Sequence, residues 1–209
     1  MERLQALLKE YITGHALDFA EHEWTNGFTE DDAPVYWQTV YSIAKQLPTH
    51  LKVVEIGSGF GFVLSIFKYL GYDNVVGYEQ DDKICAVANQ ILKEFFDDEC
   101  VKTEKFCSQQ ESANILVLVN CVYADDCVTK EEYMKRLVSY YQQGNQPEYY
   151  ILEVIDSSYS EENAMFPEFI RLSEKDIHNM FPGAKVKSWH TYKYPFNKKS
   201  KTLYLIERP

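Results

Sequence analysis

The chain has 209 residues, of which 45% are hydrophobic and 15% aromatic, and its formal net charge is −11. A chain of this length and apolar content can bury a core of ordinary size, which excludes a disordered protein. The acidic balance argues against a protein that follows the phosphates of nucleic acid, because the only basic cluster is Lys198, Lys199 and Lys201. We therefore expect a small-molecule or peptide partner that is neutral or cationic, and nucleic acid is unlikely as substrate.

The cysteines and the apolar runs bear on the compartment. Five cysteines are scattered without a Cys-x-x-Cys pair, which is typical of reduced thiols and not of a disulfide framework or a zinc site. No apolar run reaches the ~18 residues of a membrane span, and the first residues lack the apolar core of a signal peptide. These features predict a cytoplasmic protein without a membrane anchor.

The first third of the chain predicts helices. Apolar residues recur at three- and four-residue steps over residues 2–20, residues 21–33 are expected to form an ordered loop, and Pro34 opens a second helix that runs to Leu47. We expect one domain over residues 1–209, with residues 1–34 as a helical N-terminal extension. Its aromatic residues are candidates for a lid or a substrate wall, or they simply pack the extension onto the sheet: Trp24, Tyr36 and Trp37.

The most informative stretch begins at Leu51. A short apolar strand over residues 51–56 is followed by three glycines at alternate positions and then by an apolar helix over residues 63–70. Strand, glycine turn and helix in this order form the nucleotide-binding corner of an open α/β sheet. Phe62 stands where a dinucleotide site has its third glycine, and the Gly-Lys-Ser/Thr ending of a phosphate-binding P-loop is missing.

An acid two residues before the first glycine completes a different motif. The run Glu55-Ile56-Gly57-Ser58-Gly59-Phe60-Gly61 resembles the first motif, Asp/Glu-x-Gly-x-Gly-x-Gly, of the class I S-adenosylmethionine-dependent methyltransferases. The resemblance implies an open, doubly wound, mostly parallel seven-stranded sheet and S-adenosylmethionine as cofactor. The cofactor-binding residues that it implies are Glu55, Gly57, Ser58, Gly59, Gly61, Glu79, Gln80 and Asn120.

Glu79 ends the second predicted strand, residues 74–79. It follows the glycine turn at close to the spacing of a βαβ unit, roughly 20 residues, and in the resembled family an acid here accepts hydrogen bonds from the ribose diol. The alternative is a solvated carboxylate at the cap of the helix that runs from Asp81 to Phe96. A weak third strand is predicted over residues 100–107, and residues 107–111 offer no safe counterpart of the acid that often follows that strand.

The fourth predicted strand, residues 113–119, ends in Asn120 and Tyr123. Polar residues at the carboxyl end of such a strand lie at the ligand crevice of an open sheet. Asn-x-x-Tyr is similar to the Asn-Pro-Pro-Tyr of methyltransferases that act on planar nitrogens, and to the Val-Asn-Asn-Phe of the non-SET histone lysine methyltransferases. The first likeness implies that Asn120 accepts a hydrogen bond from the target amine while the Tyr123 ring stacks on it, so both are candidate catalytic residues.

Acids follow the fourth and fifth strands. Asp125 and Asp126 come after the fourth, and Asp156 follows the fifth, residues 149–155. Such acids could hold a divalent cation, as in catechol-type O-methyltransferases, but Asp126 equally suits the cap of a helix over residues 129–141. We favour the cap and expect no metal. The candidate substrate-binding residues are Tyr36, Tyr123 and Asp156.

The C-terminal part predicts a helix over residues 173–181 and a hairpin whose strands cover residues 184–194 and 201–207. In the resembled fold the last strand inserts antiparallel. His190 in the first of these strands is a candidate base if the acceptor is an oxygen.

Three functions compete. The residues favour methyl transfer from S-adenosylmethionine to a small molecule or peptide side chain, with a nitrogen acceptor first and an oxygen acceptor second. The alternative is a non-catalytic S-adenosylmethionine-binding or regulatory protein on the same fold. An NAD-dependent oxidoreductase is opposed by Phe62.

Overall fold

A mixed eight-stranded sheet forms the centre of the molecule, and its strand order is β3-β2-β1-β4-β5-β8-β7 with β6 paired to β5. The computed structural model describes residues 1–106, 112–121, 126–159, 166–192 and 201–209. The predicted open, mostly parallel seven-stranded sheet is confirmed, and β6 is a two-residue addition that the sequence did not indicate. The strands are β1 Val53–Ile56, β2 Val75–Glu79, β3 Val101–Thr103, β4 Ile115–Leu118, β5 Tyr149–Asp156, β6 Arg171–Leu172, β7 Lys185–Tyr192 and β8 Lys201–Glu207.

The direction of the strands brings all the candidate residues to one edge. β1 to β5 run parallel, so their carboxyl ends meet at the same side of the sheet. β8 lies between β5 and β7 and is antiparallel to both, as predicted. The first residues of β8 therefore lie at the carboxyl ends of the parallel strands.

The helices are α1 Glu2–Gly14, α2 Ala16–Phe19, α3 Val35–Ala44, α4 Phe62–Tyr69, α5 Asp82–Phe96, α6 Lys130–Gln143 and α7 Glu174–Met180. The single helix expected over residues 2–20 was wrong, because the chain turns at His15 and continues as the short α2. The expected loop over residues 21–33 contains a 3-10 helix, Glu23–Phe28.

Helix caps fix where three of these helices begin. Asp81 accepts from the backbone N–H groups of Lys83 and Ile84 and starts α5, as predicted. Thr129 starts α6 through a reciprocal capping box with Glu132, so the cap expected from Asp126 was wrong. The capping box read near Ser173 is present at the start of α7.

Apolar residues cover both faces of the sheet. On one face, residues of β1, β4 and β5 pack with α1, α3, α4 and α5, and on the other they pack with α6 and α7. Every residue of β1 and β4 is buried. Because both faces of these strands are covered, their sequences are nearly continuous apolar runs, from which both strands could be predicted. In the described part of the chain, every helix is too short or too polar to cross a bilayer.

Candidate functional site

A cavity of about 410 Å³ opens at the carboxyl ends of β1, β2 and β4. Most of the residues predicted for the cofactor line it, together with one predicted for the substrate: Glu55, Gly57, Ser58, Gly59, Glu79, Gln80, Asn120 and Tyr36. The cavity therefore gathers residues from positions 24 to 140 of the chain at the point where an open α/β sheet has its ligand crevice.

The glycine turn has the left-handed backbone that its sequence predicts. Gly57, Gly59 and Gly61 have φ values of +65°, +52° and +73°, which side chains other than glycine rarely adopt. A Cβ added at Gly57 would lie 1.9 Å from the Cys121 Sγ, so glycine is also required for space. Gly61 does not line the cavity and instead caps α4.

The turn is tied to β2 by hydrogen bonds. The N–H groups of Gly57 and Ser58 both donate to the Tyr78 carbonyl, at 2.8 and 3.0 Å. Gly77 permits this approach, because a Cβ there would lie 2.5 Å from the Leu64 Cδ1 and 2.8 Å from the Ser58 Oγ. Sequence reasoning missed Gly77, although a glycine inside a strand signals a close approach of this kind.

Glu79 lies at the mouth of the cavity and holds the glycine turn from the side. Its Oε2 accepts from the Gly59 N–H at 3.0 Å, and its Oε1 accepts from the N–H groups of Gln80 and Asp81 at 2.7 and 3.1 Å. The helix cap is made by Asp81, so the alternative of Glu79 as a helix cap is wrong. The carboxylate is thereby fixed beside the turn while it still lines the cavity.

Two buried polar atoms lie on the floor of the cavity without a partner. The Glu55 Oε2 and the Ser58 Oγ have no hydrogen-bond partner among the described residues, and their side chains are 1% and 6% exposed. Burial, and then the negative charge of Glu79, raise the pKa of the Glu55 carboxyl well above its ordinary value of 4.5, although a backbone hydrogen bond from Leu64 opposes this. Buried polar atoms of this kind are usually satisfied by a ligand or by water.

Aromatic side chains form the wall above the glycine turn. Trp24 is 41% exposed and stacks on Phe60 with 5.5 Å between ring centroids. A Cβ at Gly59 would lie 3.4 Å from the Trp24 ring, so this tryptophan lies directly over the turn. Trp37 does not reach the cavity, because it is fully buried and donates to the Phe62 carbonyl at 2.8 Å. Of the three aromatic candidates, Trp24 and Tyr36 line the cavity and Trp37 packs the core.

A buried charged network lies behind Asn120. The Glu153 Oε2 accepts from the Asn120 N–H at 3.0 Å and lies 3.7 Å from the Lys201 Nζ, while its Oε1 accepts from the Thr191 hydroxyl at 2.5 Å. The Lys201 Nζ donates to the Asn120 Oδ1 at 2.5 Å. The side chains of Glu153 and Lys201 are 2% and 12% exposed. Asn120 itself has a φ of +51°.

This network changes the expectation for Asn120. The predicted contact, in which its amide oxygen accepts from a target amine, meets an oxygen that a lysine already holds. Sequence reasoning missed Lys201 and Thr191 because nothing local connects them with Asn120. Glu153 could have been identified from the sequence, because it is an acidic residue inside the apolar run of β5 and a buried charge needs a partner.

Asp156 lies outside the cavity, contrary to its predicted role as a wall of the substrate site. Its oxygens accept from the Ser158 N–H and from the Thr202 hydroxyl, both at 2.8 Å, and the His190 Nδ1 lies 3.1 Å from the same hydroxyl. Partial burial opposes ionisation of Asp156, but these hydrogen bonds outweigh it and lower its pKa. His190 does not line the cavity either.

The remaining predictions concern the acids after β4 and the stretch after β3. Asp126 forms an ion pair with Arg136 of α6, and within the described ranges no group of three acidic, histidine or cysteine residues could hold a metal. Tyr123, Asp125 and residues 107–111 lie outside the described residues.

Sequence reasoning did not predict every residue of the cavity wall. Four further lining residues lie just after β3 and β4: Glu104, Lys105, Phe106 and Cys121.

No protein-family profile matches the chain, and no curated protein matches its sequence. Solved structures do match its backbone. A magnesium protoporphyrin IX methyltransferase from Synechocystis with bound S-adenosylhomocysteine is 14% identical, with 98% of this chain and 99% of that chain covered and a TM-score of 0.60. The chain has the methyltransferase fold.

Two further structures with this fold show how widely it is shared. An S-adenosylmethionine-dependent methyltransferase from Clostridium acetobutylicum is 10% identical, covers 93% of this chain and 99% of its own, and has a TM-score of 0.60. Fibrillarin from Aeropyrum pernix, solved with natively bound S-adenosylmethionine, is 13% identical over 82% of this chain and 76% of its own, with a TM-score of 0.51. At sequence identities this low, the similarity supports a shared fold and not a shared function, so the function is argued from the site.

Proposed function

We propose that the chain is an S-adenosylmethionine-dependent methyltransferase that acts on a small molecule or a peptide side chain. The observation that carries this proposal is the cavity where the left-handed glycine turn meets the fixed carboxylate of Glu79. Structures with the same fold hold S-adenosylmethionine or S-adenosylhomocysteine, which adds support.

The described residues fit such a donor. Gly57 and Gly59 line the cavity with positive φ and without side chains, which would let the donor lie against the backbone. The Glu79 carboxylate has acceptor capacity beyond its bonds to the backbone and would hold the ribose hydroxyls, with Gln80 beside it. The unpartnered oxygens of Glu55 and Ser58 would receive polar groups of the donor.

Charge in the cavity also favours this donor. Glu55 and Glu79 place two carboxyl groups around the turn, and S-adenosylmethionine carries an ammonium and a sulfonium. A cationic ligand stabilises the ionised form of a nearby carboxyl. The positive charge therefore offsets the repulsion and the burial that now raise the pKa of Glu55.

The bound donor would supply an electrophilic methyl group, and the protein's own task is to position the acceptor and exclude water. Trp24 over the glycine turn and Tyr36 beside it form a wall that would cover the methyl group. Asn120 lines the cavity at the carboxyl end of β4 and is the side chain that we assign to the acceptor.

Calorimetric titration of the full chain with S-adenosylmethionine, S-adenosylhomocysteine and NAD tests this function. We expect saturable binding of the first two and none of NAD, together with transfer of labelled methyl from the donor to an acceptor. Binding of NAD alone would indicate an oxidoreductase. Donor binding without transfer to any acceptor would indicate a regulatory binding protein.

A further inference from the structure

The orientation of the Asn120 amide indicates the chemical class of the methyl acceptor. The oxygen and the nitrogen of an amide are told apart by the groups that they face. Here the neighbour is decisive, because the Lys201 Nζ lies 2.5 Å from the amide and an ammonium group can only donate. The atom that faces Lys201 must be the oxygen.

The lysine is itself held in place. Glu153 lies 3.7 Å from its Nζ and is oriented by the Thr191 hydroxyl and by the Asn120 N–H. The ion pair is almost fully buried, so turning Lys201 away would leave the Glu153 carboxylate without its positively charged partner. The orientation of the Asn120 amide is therefore fixed by a network that spans four strands.

The amide nitrogen is the group that remains for a ligand. Among the described residues, the Asn120 Nδ2 has no hydrogen-bond partner, and Asn120 lines the cavity. Because its oxygen accepts from an ammonium, the amide is polarised and its N–H groups become stronger donors. A strong donor beside the methyl group suits an acceptor atom with exposed lone pairs.

Resting on the methyl transfer proposed above, we infer that the acceptor is an oxygen nucleophile, in particular a carboxylate, which Asn120 holds through its Nδ2–H. A carboxylate is already ionised at neutral pH and needs no general base, whereas a hydroxyl does. Its free oxygen donates a lone pair to the methyl carbon while the carbon–sulfur bond breaks and its electron pair passes to sulfur. The products are a neutral methyl ester and a thioether, and no proton moves.

Lys201 and Glu153 act as positioning residues in this scheme. They do not touch the acceptor, but they decide which end of the amide faces it. A target amine that faced the Asn120 Nδ2 would place its N–H groups against N–H groups, so this end of the amide does not suit an amine. This inference replaces the nitrogen acceptor that the Asn-x-x-Tyr likeness favoured, and also the neutral or cationic partner that the acidic net charge favoured.

Asn120→Asp is the sharpest variant. Asp tolerates the left-handed backbone about as well as Asn, whereas Ala would add strain at a φ of +51°. One carboxylate oxygen would keep the contact with Lys201, and the other would replace the N–H groups that face the acceptor. We expect ester formation to fall by about 100-fold or more while the donor dissociation constant changes less than about threefold.

Asn145→Asp is the matched control, because Asn145 is an exposed asparagine with a φ of +62°. It should leave both quantities unchanged. Transfer is measured with labelled donor on a panel of carboxylic acids and the primary amines of the same carbon skeletons. Label in a methyl ester is released by alkali as volatile methanol, whereas N-methyl label is retained.

A second measurement does not depend on turnover. In ¹⁵N-labelled protein saturated with S-adenosylhomocysteine, benzoate should shift the side-chain Nδ2 resonances of Asn120, and benzylamine should not. Turnover of amines alone, full activity of Asn120→Asp, or no shift with any carboxylate of the panel would each overturn the inference. Failure of donor binding in the calorimetric titration would instead overturn the proposed function, so the two failures are separable.

Discussion

The two ends of the site are built by different means. The glycine-turn end, residues 53–61 and 75–81, is made by the backbone, with its contacts between neighbouring elements of one βαβ unit. The lysine end, which comprises Asn120, Glu153, Thr191 and Lys201, is made by side chains of three strands and by Asn120, just after a fourth. The first end is formed by a local motif, and the second exists only once the sheet is assembled.

Because of this difference, the two ends should be sensitive to different kinds of substitution. A backbone cradle fails when a Cβ is added, because the ligand and the turn both need that space. A buried side-chain network fails when one charge is removed, because its partner is then left in a medium of low polarity. The predictions below separate the two kinds of failure, since the first should affect ligand binding and the second should affect stability.

Gly59→Val should abolish measurable S-adenosylmethionine binding. The side chain would resist a φ of +52° and would fill space under Trp24. Gly71→Val is the control, because Gly71 has a φ of +86° but nothing within 4 Å of an added Cβ. Calorimetry should find the donor bound by the control, with near-native circular dichroism in both variants. Normal binding by Gly59→Val would mean that the turn is only a structural corner.

Lys201→Met should lower the free energy of unfolding by about 3–5 kcal/mol, because it leaves the Glu153 carboxylate buried and unpaired. Adding Glu153→Gln in the same chain should restore much of the loss. Lys187→Met removes the exposed pair with Glu207 on the same hairpin and should cost about 0–1 kcal/mol. Urea denaturation at neutral pH measures all three, and equal losses for the two lysines would contradict a buried network.

Glu79→Ala should weaken donor binding by roughly 1.5–3 kcal/mol, the loss expected when hydrogen bonds to a charged group are removed. Asp82→Ala removes an exposed carboxylate three residues further on that does not line the cavity. Its dissociation constant in calorimetry should match that of the native chain. An unchanged affinity in Glu79→Ala would take Glu79 out of the donor site.

Glu55→Gln should have the smallest effect on stability, and this effect should grow as pH rises. Below about 4.5 the carboxyl is protonated in both the folded and the unfolded chain. As pH rises from there to the raised pKa, the folded chain holds a proton that the unfolded chain has lost, so the native protein becomes less stable. Glu55→Gln lacks this loss and should gain in melting temperature relative to the native protein as pH rises.

An exposed carboxylate gives the comparison for Glu55. Glu10→Gln should show the same pH dependence of melting as the native chain. Donor binding to the native protein should release a proton in the same window, because the cationic donor lowers the pKa of Glu55. Calorimetry in two buffers with different ionisation enthalpies detects that proton, and Glu55→Gln should not release it.

The glycine-turn end could be predicted from the sequence because its information is local. Acid, glycines and helix lie within one short stretch, and Glu79 follows at the spacing of a βαβ unit. The family that this stretch resembles also implied the mostly parallel sheet and the antiparallel last strand. In the N-terminal extension the break at His15 was not predicted, whereas Trp37 packs into the core, which was one of the two alternatives for it.

The lysine end could not be predicted in the same way. Lys201 reaches Asn120 across 81 positions of sequence, and no periodicity or motif connects them. The Asn-x-x-Tyr likeness identified Asn120 as a cavity residue, but it implied that the amide oxygen faces the acceptor, whereas the oxygen accepts from Lys201. Asp156 was assigned to that end because it follows β5, yet its hydrogen bonds direct it to Ser158 and Thr202.

The position of β8 has a consequence for how the protein is made. β8 follows the other seven strands of the described residues, but it lies inside the sheet and provides the partner for both β5 and β7. During synthesis the glycine turn can form early, while the edge of β5 stays open until residues 201–207 leave the ribosome. An open β5 edge is a template for wrong pairing. A stalled or slowly translated chain should therefore aggregate through β5, after it has already formed the corner that binds the donor.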